Sequence, residues 1–334
     1  MTKNNKIKNY FASANTCRGV INYSNSIFKP RDFDKIYVIK GILAKNFILK
    51  IKEKHSCECF LNPVNPEKAD AVIINKIAVI DGAAANFDDS QHPAVIINLN
   101  QFCNELILNQ NKEQLLRLAE QKLDIYNSAE KFLKAANELA EYLLDLSAKY
   151  LNKKKLTAAI DRILNKRPVK NNSQTNYRFI NSTAASELDT LENEASEVFY
   201  SSMENFTGFH FVRYVAQKST GNKIICTDAL DAQRINAVYL TDEKILFTLQ
   251  TKNKKISSDK YNYINMERFI SADFKKEHKQ KLKFITKLYD SLIAEAVDCF
   301  TKINDIDSEL EKIYIQSLDC AAQEKFVADF MKNL

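Results

Sequence analysis

The chain has 334 residues, of which 45% are hydrophobic and 27% are charged, enough for two ordinary domains with apolar cores. Its 48 basic and 42 acidic residues give a formal net charge of +6, far from the strong bias of a dedicated nucleic-acid-binding protein. Seven cysteines without regular spacing argue against a disulfide framework. No apolar run has the length of a signal-peptide core or a membrane span, so we expect a cytoplasmic protein without a membrane partner.

The first half of the chain predicts strands followed by helix. A long helical region is indicated over residues 112–166, where apolar residues recur every three or four positions. The polar, proline-interrupted segment 166–176 is the best candidate for a linker. Short β-branched runs, typical of strands buried on both faces of a parallel sheet, occupy residues 36–39, 71–74, 77–80 and 94–97.

The second half repeats this order. Strand-like segments at 223–226, 237–240 and 244–248 precede a long helical tract whose apolar stripe runs from Leu282 to Ile303. Residues 65–74 and 231–240 align weakly, as do residues 11–14 and 179–182. We therefore predict two α/β domains of the same plan, residues 1–168 and 177–334.

Residues 36–46, IYVIKGILAKN, have the order of a phosphate-binding loop: strand, glycine, lysine, helix. In G-x-x-x-x-G-K-[ST], backbone N–H groups wrap the phosphates, the lysine contacts them and the hydroxyl holds Mg²⁺. Here Lys45 follows Gly41 after only three residues, Ala44 replaces the second glycine, and Asn46 replaces the hydroxyl residue. The loss of two residues shortens the loop by ~7 Å. An ordinary strand–helix turn with a solvated Lys45 is the favoured interpretation, and a nucleotide site is the alternative.

Other candidate sites have weaker support. Asp81 ends an apolar strand, as a Mg²⁺-binding Walker B carboxylate does, but such an aspartate is also common in turns. His55, Cys57 and Cys59 alternate as metal ligands on a strand can, yet no second Cys/His pair accompanies them, and we predict no metal site. With only five glycines and four histidines, the chain has no Rossmann fingerprint, nucleophile elbow or zinc-protease motif, so we assign no catalytic residue.

Lysine-rich clusters are a further possible binding surface. A phosphate-backbone footprint is one interpretation of them, and solvated helix faces are the commoner one. We therefore regard a nucleic-acid partner as the least favoured alternative. The clusters occupy residues 153–155, 166–170, 252–255 and 275–283.

Several segments together resemble the tandem P-loop ATPases of Gram-positive bacteria, sometimes labelled nucleotide-kinase-like. Residues 11–23 read FASANTCRGVINY, against FASANT-x-KG-x-x-NY in that family, and residues 36–41 read IYVIKG, against IYxIKG. Further similarity covers residues 65–72, 81–86, 93–102 and 306–319.

The resemblance implies two P-loop NTPase-like, three-layer α/β units with mostly parallel sheets, each ending in a long helix. It also implies ATP and Mg²⁺ as ligands, with Gly41, Lys45, Asn46 and Asp81 at the first site and a second Walker A loop within residues 208–222. Both loops depart from the family pattern, since neither has its glycines in order. We expect a catalytically impaired binding or regulatory module. The alternatives are an ATP-binding or ATP-hydrolysing protein with an atypical loop, and a nucleic-acid-associated protein.

Overall fold

A computed structural model of the protein describes residues 7–84, 94–166, 174–185, 188–202, 204–250, 260–332 and 334. The first half contains one six-stranded sheet, in which three strand pairs are parallel and two are antiparallel. A small antiparallel hairpin, β2–β3, accompanies it. The strands are β1 (Lys8–Tyr10), β2 (Ser13–Thr16), β3 (Gly19–Asn22), β4 (Lys35–Lys40), β5 (Glu58–Leu61), β6 (Ala69–Ile74), β7 (Ile77–Asp81) and β8 (Val95–Asn98).

The second half contains another six-stranded sheet of the same topology. The first sheet has the order β1-β5-β6-β7-β4-β8, and the second has the corresponding order β9-β11-β12-β13-β10-β14. Parallel and antiparallel pairs fall at the same places in both, which confirms the predicted internal repeat. Its strands are β9 (Thr175–Arg178), β10 (Glu197–Ser202), β11 (Lys223–Thr227), β12 (Ile235–Leu240), β13 (Ile245–Gln250) and β14 (Tyr261–Ile264).

Each half also contains one very long helix, as the sequence predicts. The side chains of Asn104 and Ser271 cap helices α3 and α8 at corresponding places in the two halves. Within the described ranges, no helix has the length and apolar character needed to cross a bilayer. The helices are α1 (Ser24–Ile27), α2 (Ala44–Lys54), α3 (Glu105–Gln110), α4 (Lys112–Lys149), α5 (Lys153–Leu164), α6 (Thr190–Glu194), α7 (Gly208–Lys218), α8 (Ala272–Gln316) and α9 (Cys320–Lys332).

The two sheets pack against each other, face to face, which differs from the three-layer units expected from the sequence. One apolar face of each sheet is covered by helices, α2 and α9 on the first and α7 and α5 on the second. The other faces form a shared core, so the layers run helix, sheet, sheet, helix. Among the described residues, the long helices pair with each other instead of forming a second helical layer on either sheet. The shared core includes Val38, Phe60, Ala71 and Ile80 from the first sheet and Tyr200, Cys226, Ala237 and Leu246 from the second.

The long helices α4 and α8 run antiparallel and carry the chain from one half to the other. Their central contacts are made by Leu133 and Ala136 with Phe300 and Ile303. After α4, Leu151 pairs with Ile270 of the second half, and α5 then packs on the second sheet. After α8, Leu318 pairs with Cys103 of the first half, and α9 packs on the first sheet. The halves therefore exchange their last helices, and the domain limits predicted from the sequence remain a prediction.

Phe11 and Phe179 mark the symmetry that relates the halves. The Phe11 N–H donates to the Phe179 carbonyl at 2.9 Å, and the Phe179 N–H donates to the Phe11 carbonyl at 3.0 Å. Phe11 directly follows β1, and Phe179 directly follows β9, the equivalent strand of the second half. The two residues therefore occupy equivalent positions and pair with each other. This is the pattern of a pseudo-twofold axis, and it confirms the alignment of residues 11–14 with 179–182.

Strand β8 differs from its prediction in burial. Its residues Val95 and Ile96 are 43% and 48% exposed, although the sequence predicts a strand buried on both faces. The reason is position, because β8 forms the edge of the first sheet. Residues 167–173 of the predicted linker lie outside the described residues.

Replacing Leu156 by Ala tests the exchange of helices. Leu156 of α5 is fully buried in the core formed with α7 and the second sheet. We expect the free energy of unfolding to fall by about 2–5 kcal/mol because a cavity opens. Urea denaturation measures this, with the 73% exposed Leu106 of α3 replaced by Ala as the matched control. Hydrogen exchange should also accelerate in α7, and unchanged exchange there would contradict the packing.

Candidate functional site

The turn between β4 and α2 is closed by backbone contacts. Gly41 has φ +119°, and the Ala44 N–H donates to the Gly41 carbonyl at 3.1 Å. A Cβ atom on Gly41 would lie 2.7 Å from Oδ1 of Asn100, so a larger residue is excluded by conformation and by space. The side chain of Asn100 therefore occupies the space beside Gly41.

Lys45 is the centre of the site. Its Nζ atom donates to Oδ1 of Asp70 at 2.7 Å and to Oδ2 of Asp81 at 2.8 Å. The favoured expectation of a solvated lysine is wrong, because the side chain is only 24% exposed and points into the sheet. The physical reason is that two buried carboxylates require a cation, and the first turn of α2 supplies the nearest one.

Asp70 and Asp81 lie directly opposite each other on neighbouring antiparallel strands. The register of β6 and β7 pairs Ala71 with Ile80, and the two aspartates form the next pair. Both are almost fully buried, at 5% and 2% exposure. Like charges in this arrangement repel, and Lys45 between them converts the repulsion into attraction.

Further donors complete the coordination of each carboxylate. Asn62 Nδ2 donates to Asp70 Oδ1 at 2.9 Å, while Asn62 Oδ1 accepts two backbone N–H groups of the following loop. The Ala83 N–H donates to Asp81 Oδ1 at 3.0 Å. The cluster therefore fixes the β5–β6 loop, the end of β7 and the start of α2 together.

The pKa shifts agree with this geometry. Burial by itself would lower the pKa of Lys45, but the charges of Asp70 and Asp81 outweigh it and raise that pKa above the ordinary lysine value. Burial raises the pKa of Asp70, and Lys45 and Asn62 oppose that shift. The ammonium of Lys45 donates to two carboxyl groups, so the site offers no surplus positive charge to an anion.

The long helices cover the outer side of the turn. Ile42 packs against Leu118 of α4 and Leu310 and Ile313 of α8. Asn46, the residue at the hydroxyl position of the motif, donates from Nδ2 to Glu311 Oε2 at 3.4 Å. Asn46 therefore contacts α8 rather than Asp81. Of the four residues predicted for a nucleotide site, the structure brings together only Lys45 and Asp81.

Asp70 is the member of the site that sequence reasoning missed. The signal was the two-residue turn Asn75–Lys76 between two apolar runs, which pairs Ile74 with Ile77. Continuing that register places Asp70 opposite Asp81. Asn75 has φ +53°, a conformation that asparagine tolerates better than most residues.

In the second half, apolar or neutral residues occupy the positions equivalent to Lys45, Asp70 and Asp81. Strand registers and helix starts make Phe209, Asn236 and Leu249 the counterparts of Lys45, Asp70 and Asp81. The turn that corresponds to Gly41–Leu43 precedes Gly208, so the predicted second loop within 208–222 is misplaced. Within that range, Lys218 is the last residue of helix α7, whereas the lysine of a phosphate loop lies at the start of a helix.

Neither metal-binding side chains nor similar proteins identify a ligand for the described residues of this site. Among the described residues, no group of three or more His, Cys, Asp or Glu side chains is placed to hold a metal ion. Burial raises the pKa of Cys59 to about 12, as in an inert buried thiol. The chain matches no family model, curated protein or solved structure.

Replacing Lys45 by Met leaves two buried carboxylates face to face. We expect a loss of about 3–5 kcal/mol in the free energy of unfolding. The exposed Lys50 of the same helix, replaced by Met, is the control and should change stability by less than about 0.5 kcal/mol. The triple variant Lys45→Phe, Asp70→Asn, Asp81→Leu copies the second half and should recover most of the loss.

The Lys45→Met variant should also respond to pH. The pKa of Asp70 is already raised by burial and loses the opposing charge of Lys45, so the folded protein binds a proton that the unfolded chain does not. Relative to the wild type, the variant should therefore gain stability as the pH falls from neutral toward the ordinary pKa of an aspartate. Denaturant titrations at each pH measure this, and parallel pH profiles for the two proteins would contradict the assignment.

Proposed function

We propose that this chain is a binding or regulatory module without nucleotide chemistry, built on a doubled P-loop NTPase-like fold. The observation that carries the proposal is the capture of the Lys45 ammonium by Asp70 and Asp81. In a working phosphate loop, that ammonium contacts the terminal phosphates. Here the same order of strand, glycine, lysine and helix forms an internal ion cluster.

The energetics of phosphate binding support this. A phosphate on Lys45 would have to displace two charge-assisted hydrogen bonds, each contributing about 1.5–3 kcal/mol. It would also approach two buried carboxylates, which repel it through a medium of low dielectric constant. The Ala44 N–H, which a phosphate loop would direct at its ligand, is bonded to the Gly41 carbonyl.

The second half supports the same conclusion. Phe209 is buried where a phosphate-binding lysine would lie, and Leu249 is buried where a Walker B carboxylate would lie. A fold that has an ion cluster in one half and apolar residues in the other uses these positions for packing. We therefore assign the cluster a structural role and assign binding to other surfaces.

Thermal unfolding with nucleotide tests the proposal. We expect millimolar ATP with Mg²⁺ to leave the melting temperature of the wild-type protein unchanged, because a ligand stabilises only by binding the folded state. A nucleotide with a Kd of about 50 μM, present at about 5 mM, would add about 2.7 kcal/mol. A known ATP-binding protein run in parallel is the control.

A saturable rise in melting temperature would instead support an ATP-binding protein with an atypical loop. Equilibrium dialysis with labelled ATP on the wild-type protein checks this result independently of stability. Binding in that assay would overturn the proposal.

A further inference from the structure

A large groove lies in the second half, between residues 204–206 and helix α8. We call it the lysine groove. Its volume is about 1030 Å³, and α8 contributes residues from Lys275 to Asp290 to its lining. It adjoins a smaller cavity of about 510 Å³, with which it shares Glu204, Asn205 and Lys275.

A row of four lysines forms one wall of the groove. Lys275, Lys279, Lys283 and Lys287 follow each other at four-residue spacing, which stacks them along one face of a helix over about 18 Å. Lys275 forms ion pairs with Glu204 and Glu267. The other three are exposed and form no ion pair with any part of the chain that the structure describes.

The floor of the groove is apolar. Phe206 and Leu282 are buried beneath it, and the ring of Tyr289 meets that of Phe206 edge to face at 5.0 Å. Thr286 lies between these residues and the lysine row. An apolar floor beside a row of like charges, of which Lys279, Lys283 and Lys287 form no ion pair with the described residues, is the pattern of a groove that binds an oppositely charged amphipathic segment.

The fold itself does not require the lysine row. Residues of the two long helices correspond when they are 167 positions apart, as the bridges Cys103–Leu318 and Leu151–Ile270 show. The first-half counterparts of the four lysines are Leu108, Lys112, Leu116 and Glu120. Only the second half has this charge pattern, so the row serves something other than helix pairing.

We propose that the lysine groove docks an acidic amphipathic peptide segment of a partner protein. Carboxylates of the segment would meet Lys279, Lys283 and Lys287, and its apolar side chains would lie against Thr286 and Tyr289, which are half-buried. The proposal rests on the binding role proposed above but uses different residues. ATP binding at Lys45 would therefore contradict the function proposed above. It would not change the result expected when peptide binding to the lysine groove is measured.

Single-stranded nucleic acid fits the groove less well. Such ligands bind by stacking bases on open aromatic faces along a basic channel. Here the rings of Tyr289 and Phe206 meet edge to face, so these two residues do not present a pair of open, parallel faces to successive bases. Of the other predicted basic clusters, residues 252–255 and 167–170 lie outside the described residues.

Fluorescence anisotropy with a labelled peptide tests the proposal. The probe is a helical peptide of glutamate and leucine about 15 residues long, and the competitors are polyglutamate of equal charge and oligothymidylate of equal length. We expect the probe to bind at least about tenfold more tightly than polyglutamate, because only the probe covers the apolar floor. Oligothymidylate should compete less well than unlabelled probe.

Two variants separate charge from shape. Lys279→Glu with Lys283→Glu should weaken probe binding by at least about tenfold, and Thr286→Arg, which fills the groove and keeps its positive charge, should weaken it comparably. Lys112→Glu with Lys131→Glu, at exposed sites on α4, is the matched control and should change affinity less than about twofold. All three proteins should keep the wild-type melting temperature, since the changed residues lie outside the core.

The proposal is wrong if the probe does not bind, or if polyglutamate binds as tightly as the probe. It is also wrong if the Lys279/Lys283 variant retains wild-type affinity. Stronger competition by oligothymidylate than by unlabelled peptide would assign the groove to nucleic acid instead.

Discussion

Two aspartates that face each other across an antiparallel strand pair are the constraint on which the first half depends. Asp70 and Asp81 are buried in the sheet, and their mutual repulsion requires a cation within hydrogen-bonding distance. Helix α2 starts after a turn of three residues that follows β4 and places Lys45 there, so the short turn and the ion cluster occur together. The same cluster holds the β5–β6 loop through Asn62 and leaves Lys45 no free charge for a phosphate.

The second half reaches the same topology without these charges. Phe209 and Leu249 pack where the first half has Lys45 and Asp81, which shows that the strand order does not depend on the cluster. Exchange of the last helices then joins the halves, since α5 and α9 each complete the core of the other sheet. The halves also differ in how their surfaces are used: partly buried Ile42 packs against the long helices, whereas the groove beside Lys279 is open to solvent.

Local patterns predicted much of this fold. The short β-branched runs around Val38, Val72 and Val79 are strands, because such residues favour a pleated, buried backbone. Periodic apolar residues predicted the long helices, and two weak alignments predicted the repeat. Sequence reasoning failed for Lys45 and Asp70, because the environment of each depends on side chains distant in sequence. It also failed for the layer order, because an apolar sheet face is satisfied equally by a helix or by another sheet.

By itself, the sequence determined the strands, the helices, the repeat and the short spacing between Gly41 and Lys45, since each can be read from local patterns along the chain. Whether Lys45 faces water, phosphate or carboxylate was decided only by the tertiary structure, because strand register brings Asp70 and Asp81 together. The packing of the sheets and the exchange of helices were also decided there. These depend on which apolar surfaces meet, and local spacing carries no information about that choice.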